Sequence, residues 1–205
     1  MSYVAARIKE TWPARDEAKT LLLELRKFAN IVDICGGIGI ALCTDGVGSK
    51  VLLAQMMGKC DTIGIDCVAM NVNDLVCVGA KPLSLVDYIA VERTDPAVLD
   101  QISIGLTEGA SQSGCSIPGG EIAEMPGVIT GWKPGLGFDL AAMATGTVAL
   151  DAVNVGADVA PGDVVVGVGS NGIHSNGMTL ARKVFFNELA MTAEQHVAEF
   201  GRSIG

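Results

Sequence analysis

Residues that could do phosphate chemistry concentrate in the octapeptide CTDGVGSK, residues 43–50. An apolar run leads into it and predicts a buried strand over residues 40–43. Glycine lets a backbone approach a phosphate because it has no Cβ. Lys50 can pair with phosphate oxygens, and Asp45 can hold the magnesium that accompanies them, although the spacing is not that of a Walker A loop. The Asp-Gly pair is also typical of a hairpin turn with solvated charges, and the octapeptide alone leaves both interpretations open.

A second polar pair interrupts an apolar segment. Residues 63–78 have the period of a helix, and four of their apolar residues fall on one side: Val68, Val72, Leu75 and Val76. Asn73 and Asp74 lie inside this segment, although such residues are unfavourable in the middle of a buried helix. A magnesium–phosphate site would supply the partners that they need. The alternative is a helix end that faces water.

Two further groups carry chemistry. Gly119 and Gly120 are followed directly by the carboxylate of Glu121, and His174 lies in the Gly/Ser/Asn-rich residues 169–177. A histidine on such a loop can hydrogen-bond a substrate or shuttle a proton near neutral pH. The alternative for His174 is an ordinary turn residue, and His196 is predicted to be exposed on a polar helix.

Composition narrows the class of protein. The 205 residues are 49% hydrophobic and 18% charged, which can fill a core, and 26 glycines with few aromatics indicate an α/β chain with close turns. The net charge of −9 disfavours nucleic acid as a partner. No apolar stretch has the length of a membrane span, and no secretory signal is apparent. Six cysteines without a C-x-x-C pair predict buried thiols in a cytoplasmic protein.

The remaining elements set the domain organisation. Helices are predicted over residues 16–30, 95–113 and from 178, and strands over residues 83–91, 138–150 and 164–168, with a strand and then a short helix over residues 51–57. The composition changes at residue 151. We expect one domain over residues 1–158 and the start of a second over residues 159–205. The second has too few elements to close a sheet, so we expect the chain to be part of a longer one.

The polar motifs, taken in order, resemble one family. They are the octapeptide, DTIGID at residues 61–66, Asn73-Asp74-Leu75, GGE with EMPG at residues 119–127, and HSNG at residues 174–177. They are similar to those of aminoimidazole ribonucleotide synthetase, also called phosphoribosylformylglycinamidine cyclo-ligase, and residues 64–74 resemble its archaeal branch. The resemblance runs from about Ile40 to Val184, and residues 128–137 depart from it.

This resemblance implies an α/β (α+β) fold in which a mixed-sheet N-terminal domain, residues 1–158, binds ATP and dimerises through its sheet. An incomplete second α/β domain follows. It implies ATP-dependent ring closure of formylglycinamidine ribonucleotide in purine biosynthesis, with ATP and Mg²⁺ as cofactors, a homodimer as the assembly and the cytoplasm as the location.

The resemblance also implies roles for individual residues. The catalytic residues are Lys50, His174 and Asn176. The magnesium ligands are Asp45, Asp74 and Glu121, on separate loops. The residues that bind the nucleotide are Thr44, Asp45, Gly46, Gly48, Ser49, Lys50, Asp66, Asn73, Asp74, Gly119, Gly120 and Glu121.

Other functions remain as alternatives. Thiamine-monophosphate kinase, selenophosphate synthetase and formylglycinamidine synthetase belong to the same superfamily and would share acidic magnesium ligands and ATP. A non-catalytic maturation protein could use the same fold as an assembly surface. The DGVGSK, EMP and HSNG motifs favour the cyclo-ligase, and the intact acidic and lysine positions disfavour the maturation protein.

Overall fold

The computed structural model describes residues 2–9, 11, 20–21 and 28–205. Its helices are α1 (Ser2–Lys9), α2 (Lys50–Met57), α3 (Ile63–Cys77), α4 (Pro96–Ser113) and α5 (Met178–Arg182). Its strands are β1 (Thr20–Leu21), β2 (Asn30–Asp33), β3 (Ile38–Gly46), β4 (Lys81–Val91), β5 (Ser116–Glu124), β6 (Phe138–Ala149), β7 (His196–Val197) and β8 (Arg202–Ser203). A 3₁₀ turn at Leu150–Ala152 and a π-helical turn at Lys183–Glu188 complete the set.

The main sheet is mixed and has the strand order β1-β2-β3-β6-β4-β5. The pair β4 and β5 is parallel and is joined by α4, whereas the other neighbours are antiparallel. A parallel pair needs such a crossover because a short hairpin cannot join strands that run the same way. The predicted α/β fold with a mixed sheet is confirmed.

Helices α3 and α4 cover one face of this sheet. The buried stripe of α3 includes Cys67, Val68, Val72 and Leu75, as the helical period predicts. Val76 is 55% exposed, so the prediction that it belongs to the stripe is wrong. The two helices meet closely, because a Cβ at Gly64 of α3 would lie 2.6 Å from a backbone carbonyl oxygen of α4.

The ends of α4 follow from local chemistry. Asp95 precedes the helix, and its side chain accepts a hydrogen bond from the Ala97 N–H at 2.9 Å, while Pro96 opens the first turn. Gly114 ends the helix in a left-handed conformation, with φ of 67°. The helix predicted over residues 95–113 and the strands predicted over residues 83–91 and 138–150 are confirmed within one or two residues.

The prediction of a strand followed by a short helix at residues 51–57 is wrong. Helix α2 begins at Lys50 and covers the whole segment. Gly48, with φ of 67°, turns the chain between β3 and α2, and an apolar run of this length does not by itself distinguish a strand from a helix. Similarly, Gly119, Gly120 and Glu121 do not form a loop but lie within β5.

Three other predictions need correction. Residues 164–168 form no strand and have no strand neighbour in the part of the chain that the structure describes, and Val165 is 95% exposed. His196 lies in β7, not in a helix. The helix predicted over residues 16–30 is wrong at Thr20–Leu21 and Asn30, which lie in strands, and the rest of it falls mainly on residues outside the described ranges.

The helix predicted from residue 178 is confirmed as α5. None of the described helices is long and apolar enough to cross a membrane.

Candidate functional site

The octapeptide lies at the end of β3 and at the start of α2. Its lysine, Lys50, is the first residue of α2, and Nζ is 2.7 Å from the Asp66 Oδ1 in α3. The same Nζ donates to the Ile173 carbonyl oxygen at 3.1 Å. Lys50 therefore joins α2 and α3 and also contacts the segment that carries His174.

The backbone of Asp45 is held by a buried side chain of α3. Asn71 is fully buried, and its carboxamide accepts from the Asp45 N–H at 3.0 Å and donates to the Asp45 carbonyl oxygen at 3.2 Å. Strand β2 pairs with β3 only from Gly39 to Leu42. The Asn71 carboxamide therefore supplies the hydrogen bonds that a neighbouring strand would otherwise make, and it fixes the position of Asp45.

Asp74 lies close enough to Asp45 for the two charges to interact. Burial raises the pKa of the Asp74 carboxyl above its usual value, and the negative charge of Asp45 raises it further. No described cation forms an ion pair with either residue. Two neighbouring carboxylates without a cation are the kind of site that a divalent ion neutralises.

A cleft of about 1290 Å³ opens between this region and the segment that follows residue 168. Seven of the residues predicted for the site line it: Asp45, Lys50, Asp66, Asn73, Asp74, His174 and Asn176. His174 is exposed, and its Nε2 lies 3.0 Å from the Ser170 hydroxyl. The structure thus brings residues distant in sequence to one cleft, large enough for a nucleotide-sized ligand.

Other predicted residues lie outside the lining of this cleft. Thr44 donates from Oγ1 to the Ala142 carbonyl oxygen at 2.9 Å, and the Ser49 hydroxyl lies 3.0 Å from that of Thr179. These two, together with Gly46 and Gly48, shape the turn between β3 and α2 without lining the cleft.

Glu121 lies on the opposite face of the sheet from Asp45. Asp45 and Asp87 are both in register with Ala142, and Asp87 is in register with Gly120, so these residues share one face. Glu121 is the next residue after Gly120 and pairs with Tyr88. Successive side chains of a strand alternate between faces, so Glu121 is not brought to Asp45 within one chain, and its role as a ligand stays a prediction.

The donor set suits magnesium that arrives with a nucleotide. Among the residues described, no three His, Cys, Asp or Glu side chains converge to form a metal cage. Mg²⁺ is usually held by one or two carboxylates together with phosphate oxygens and water. Asp45 and Asp74 meet that requirement.

Sequence reasoning missed several residues. Asn71 is not among the residues predicted for the site, and its place on the buried stripe of α3, four residues after Cys67, was the available signal. Ser175, which belongs to the HSNG motif, and Arg182, which follows that motif, also line the cleft. Burial raises the pKa of the Cys67 thiol to about 12, so it is no nucleophile at neutral pH.

Curated relatives are similar to most of the chain. The phosphoribosylformylglycinamidine cyclo-ligase of Methanothermobacter thermautotrophicus is 51% identical over 178 residues, which cover 87% of this chain and 51% of the relative. That of Methanobrevibacter smithii is 44% identical over 205 residues, which cover 100% of this chain and 57% of the relative. The chain therefore spans about half the length of these relatives.

Solved structures share the fold. A structure described as AaThiL complexed with AMPPCP and TMP has a TM-score of 0.52 at 15% identity and covers 71% of this chain and 41% of that one. The thiamine monophosphate kinase of Aquifex aeolicus has a TM-score of 0.50 at 15% identity and covers 73% and 43%. At this level of identity the likeness concerns the fold alone.

A family model described as "AIR synthase related protein, N-terminal domain" matches residues 27–148. This range contains strands β2 to β5, all but the last residue of β6, helices α2 to α4, and both Asp45 and Asp74. This chain belongs to the AIR synthase related protein family.

Proposed function

We propose that the chain forms the ATP-binding part of a cyclo-ligase that converts formylglycinamidine ribonucleotide to aminoimidazole ribonucleotide, with release of ADP and phosphate. The observation that carries the proposal is the cleft, where the Asp45 and Asp74 carboxylates, Lys50 and the His174 segment meet. The names and the 44–51% identity of the curated relatives support the choice of reaction.

The chemistry explains why such a cleft is useful. The oxygen of the formyl amide leaves poorly until ATP phosphorylates it. The ribosyl-bearing nitrogen then attacks the same carbon, and phosphate leaves. The protein has to position the two reactants and stabilise the charge of the transferring phosphoryl group.

Each residue of the cleft has a proposed role in this reaction. Asp45 and Asp74 hold Mg²⁺, which when bound neutralises the charge of the triphosphate. Lys50 donates to phosphate oxygens, and Asp66 orients its ammonium group through the 2.7 Å ion pair. His174 and Asn176 hydrogen-bond the substrate, and His174 is placed to exchange a proton near neutral pH. We retain Glu121 as a third ligand that would reach the metal only after β5 moves or from a second copy of the chain.

ADP release distinguishes the proposed reaction from its rivals. The chain is assayed with formylglycinamidine ribonucleotide, thiamine monophosphate and selenide, beside the Methanothermobacter thermautotrophicus relative as a positive control. We expect ADP only with formylglycinamidine ribonucleotide, and loss of that signal in Lys50→Met. ADP release with thiamine monophosphate or selenide instead would assign the chain to a sibling activity, and nucleotide binding without turnover of any of the three would favour a maturation protein.

The face of the main sheet that no described helix covers supports a homodimer. The register of the strands places four apolar side chains on the sheet face opposite α3 and α4, and each is 38–47% exposed. They are Val86 and Tyr88 of β4, Met143 of β6 and Ile38 of β3. An apolar sheet face of this kind needs a cover, and obligate dimer interfaces are apolar in the same way. We propose that a second copy of the chain covers it.

Light scattering tests the dimer. We expect Met143→Glu to dissociate a dimer that forms at micromolar concentration, because it places a charge in the centre of the apolar face. Ile104→Glu is the matched control, since Ile104 is 54% exposed on α4 rather than on the open sheet face. A monomeric wild-type chain, or equal effects of the two substitutions, would contradict the assignment of this face.

Two further proposals concern the location of the protein in the cell and the division of the chain into domains. We place the protein in the cytoplasm, because Cys43, Cys60 and Cys67 are buried thiols outside any disulfide, as is usual in reducing compartments. We also retain the division into residues 1–158 and 159–205. The proposed boundary lies in the stretch between Ala152 and Met178, where the structure has no helix or strand.

A further inference from the structure

The cleft has two walls of opposite charge. The wall formed by residues 45–74 carries three carboxylates, those of Asp45, Asp66 and Asp74, and its cation Lys50 is already paired with Asp66. The wall formed by residues 169–205 carries the two guanidinium groups of Arg182 and Arg202 and the imidazole of His174. A ligand that reaches both walls therefore meets two different electrostatic environments.

Arg182 lacks a partner within the part of the chain that the structure describes. Its Nε is closed off from solvent and has no hydrogen-bond acceptor, and no carboxylate forms an ion pair with it. Arg202, in contrast, donates from Nη1 to the Asn171 carbonyl oxygen at 3.4 Å. A buried donor without an acceptor is unfavourable, and the half-buried Arg182 side chain lines the cleft, so Arg182 indicates an acceptor that the chain does not itself supply.

A second polar group in the same cleft is equally unsatisfied. Ser175 is only 8% exposed, and its Oγ has no hydrogen-bond partner among the described residues. Ser175 and Arg182 both line the wall that lacks carboxylates. A hydroxyl and a guanidinium group together match the oxygens of a phosphate, which accept from several donors at once.

We propose that Arg182 and Ser175 form a phosphate subsite that binds the phosphate monoester of the ribonucleotide directly, without a metal. This proposal rests on the proposed function, which supplies two phosphorylated reactants. The triphosphate arrives with Mg²⁺ and is matched by Asp45 and Asp74 on the acidic wall. The monoester brings no metal, so it needs a protein cation, and the planar fork of arginine suits its oxygens.

The proposal is tested by calorimetry on the whole chain with ribose 5-phosphate and, separately, with magnesium and ADP. Arg182→Met should weaken ribose 5-phosphate binding by about ten- to a hundredfold, which is the range expected for a lost charge-assisted hydrogen bond. Binding of magnesium–ADP should not change. Lys183→Met is the matched control: Lys183 is the next cation in the chain, but it does not line the cleft and pairs with Glu188 at 3.6 Å.

The urea midpoint of each variant shows whether it folds. If Arg182→Met does not fold, the affinity of Ser175→Ala for ribose 5-phosphate is measured in its place. The proposal is overturned if the wild-type chain does not bind ribose 5-phosphate at millimolar concentration, or if Arg182→Met binds it as well as the wild type. It is also overturned if Arg182→Met loses magnesium–ADP affinity to the same extent. If binding of ribose 5-phosphate depends on Arg182 but no ring closure is found, the subsite stands and the proposed function fails.

Discussion

The link between Asn71 and Asp45 makes a strong prediction about stability. Replacing Asn71 by leucine keeps a similar volume but removes the hydrogen bonds to the Asp45 N–H and carbonyl oxygen, and the bond to the Cys67 carbonyl oxygen at 2.9 Å. Asn71 is fully buried and Asp45 is half-buried, so a leucine in place of Asn71 keeps water from replacing these bonds on the side that faces α3. Each buried backbone group left without a partner costs about 1–3 kcal/mol. We therefore expect Asn71→Leu to lower the free energy of unfolding by about 2–5 kcal/mol.

Urea unfolding measures this loss, and Asn187→Leu is the control. Asn187 is exposed in the π-helical turn, and no hydrogen bond involves its side chain among the described residues. A surface substitution of this kind should change the free energy of unfolding by no more than about 0.5 kcal/mol. The reasoning is refuted if Asn71→Leu and Asn187→Leu unfold at the same urea concentration with unchanged m values.

Three further predictions follow from individual contacts. A Cβ at Gly120 would collide with the Asp87 carboxylate and lie 2.7 Å from the Asp87 carbonyl oxygen. Gly120→Ala should therefore lower the free energy of unfolding in urea by about 1–3 kcal/mol. Gly119 has open space around it, so Gly119→Ala should leave the stability unchanged, and equal effects of the two substitutions would contradict this packing. The raised pKa of Asp74 means that its folded form binds a proton more readily than its unfolded form. The contribution of Asp74 to stability is therefore greatest below pH 3.8 and declines as the pH rises through the raised pKa. In the absence of magnesium, Asp74→Asn should remove this decline in the free energy of unfolding. Identical pH profiles of stability for the variant and the wild type would contradict the raised pKa of Asp74. Cys77 is exposed and should be alkylated rapidly in the native state, whereas Cys67 should react only after unfolding; native alkylation of Cys67 at a similar rate would contradict its burial.

Local chemistry determines the elements that could be predicted from the sequence. Helix α4 has an aspartate cap, a proline in its first turn and a glycine at its end, and its bounds were predicted within one residue. Helix α3 has a long apolar period, and only the exposed Val76 was misplaced. In the site, the acidic pair and Lys50 were predicted because their residue types and spacing are themselves typical of a phosphate site.

The errors arise where distant parts of the chain decide the structure. The face that Glu121 occupies depends on the register of β5 against β4, which shifts between Ser84 and Val86, and no local pattern reveals that shift. Residues 164–168 have the composition of a buried strand, but a strand needs a neighbour, and none is present among the described residues. Arg182 was overlooked because a lone cation on a short helix carries no spacing signal.

Binding of magnesium–ATP tests the central claim most directly, namely that Asp45 and Asp74 form the metal side of a nucleotide site. The experiment is calorimetric titration of the wild-type chain, Asp45→Asn, Asp74→Asn and the control Asp100→Asn, which replaces an exposed carboxylate of α4. We predict that the first two substitutions weaken binding by about ten- to a hundredfold, because each removes a charge beside the metal without changing the volume, and that the control leaves it unchanged. Unchanged affinity in both Asp45→Asn and Asp74→Asn would contradict the shared site.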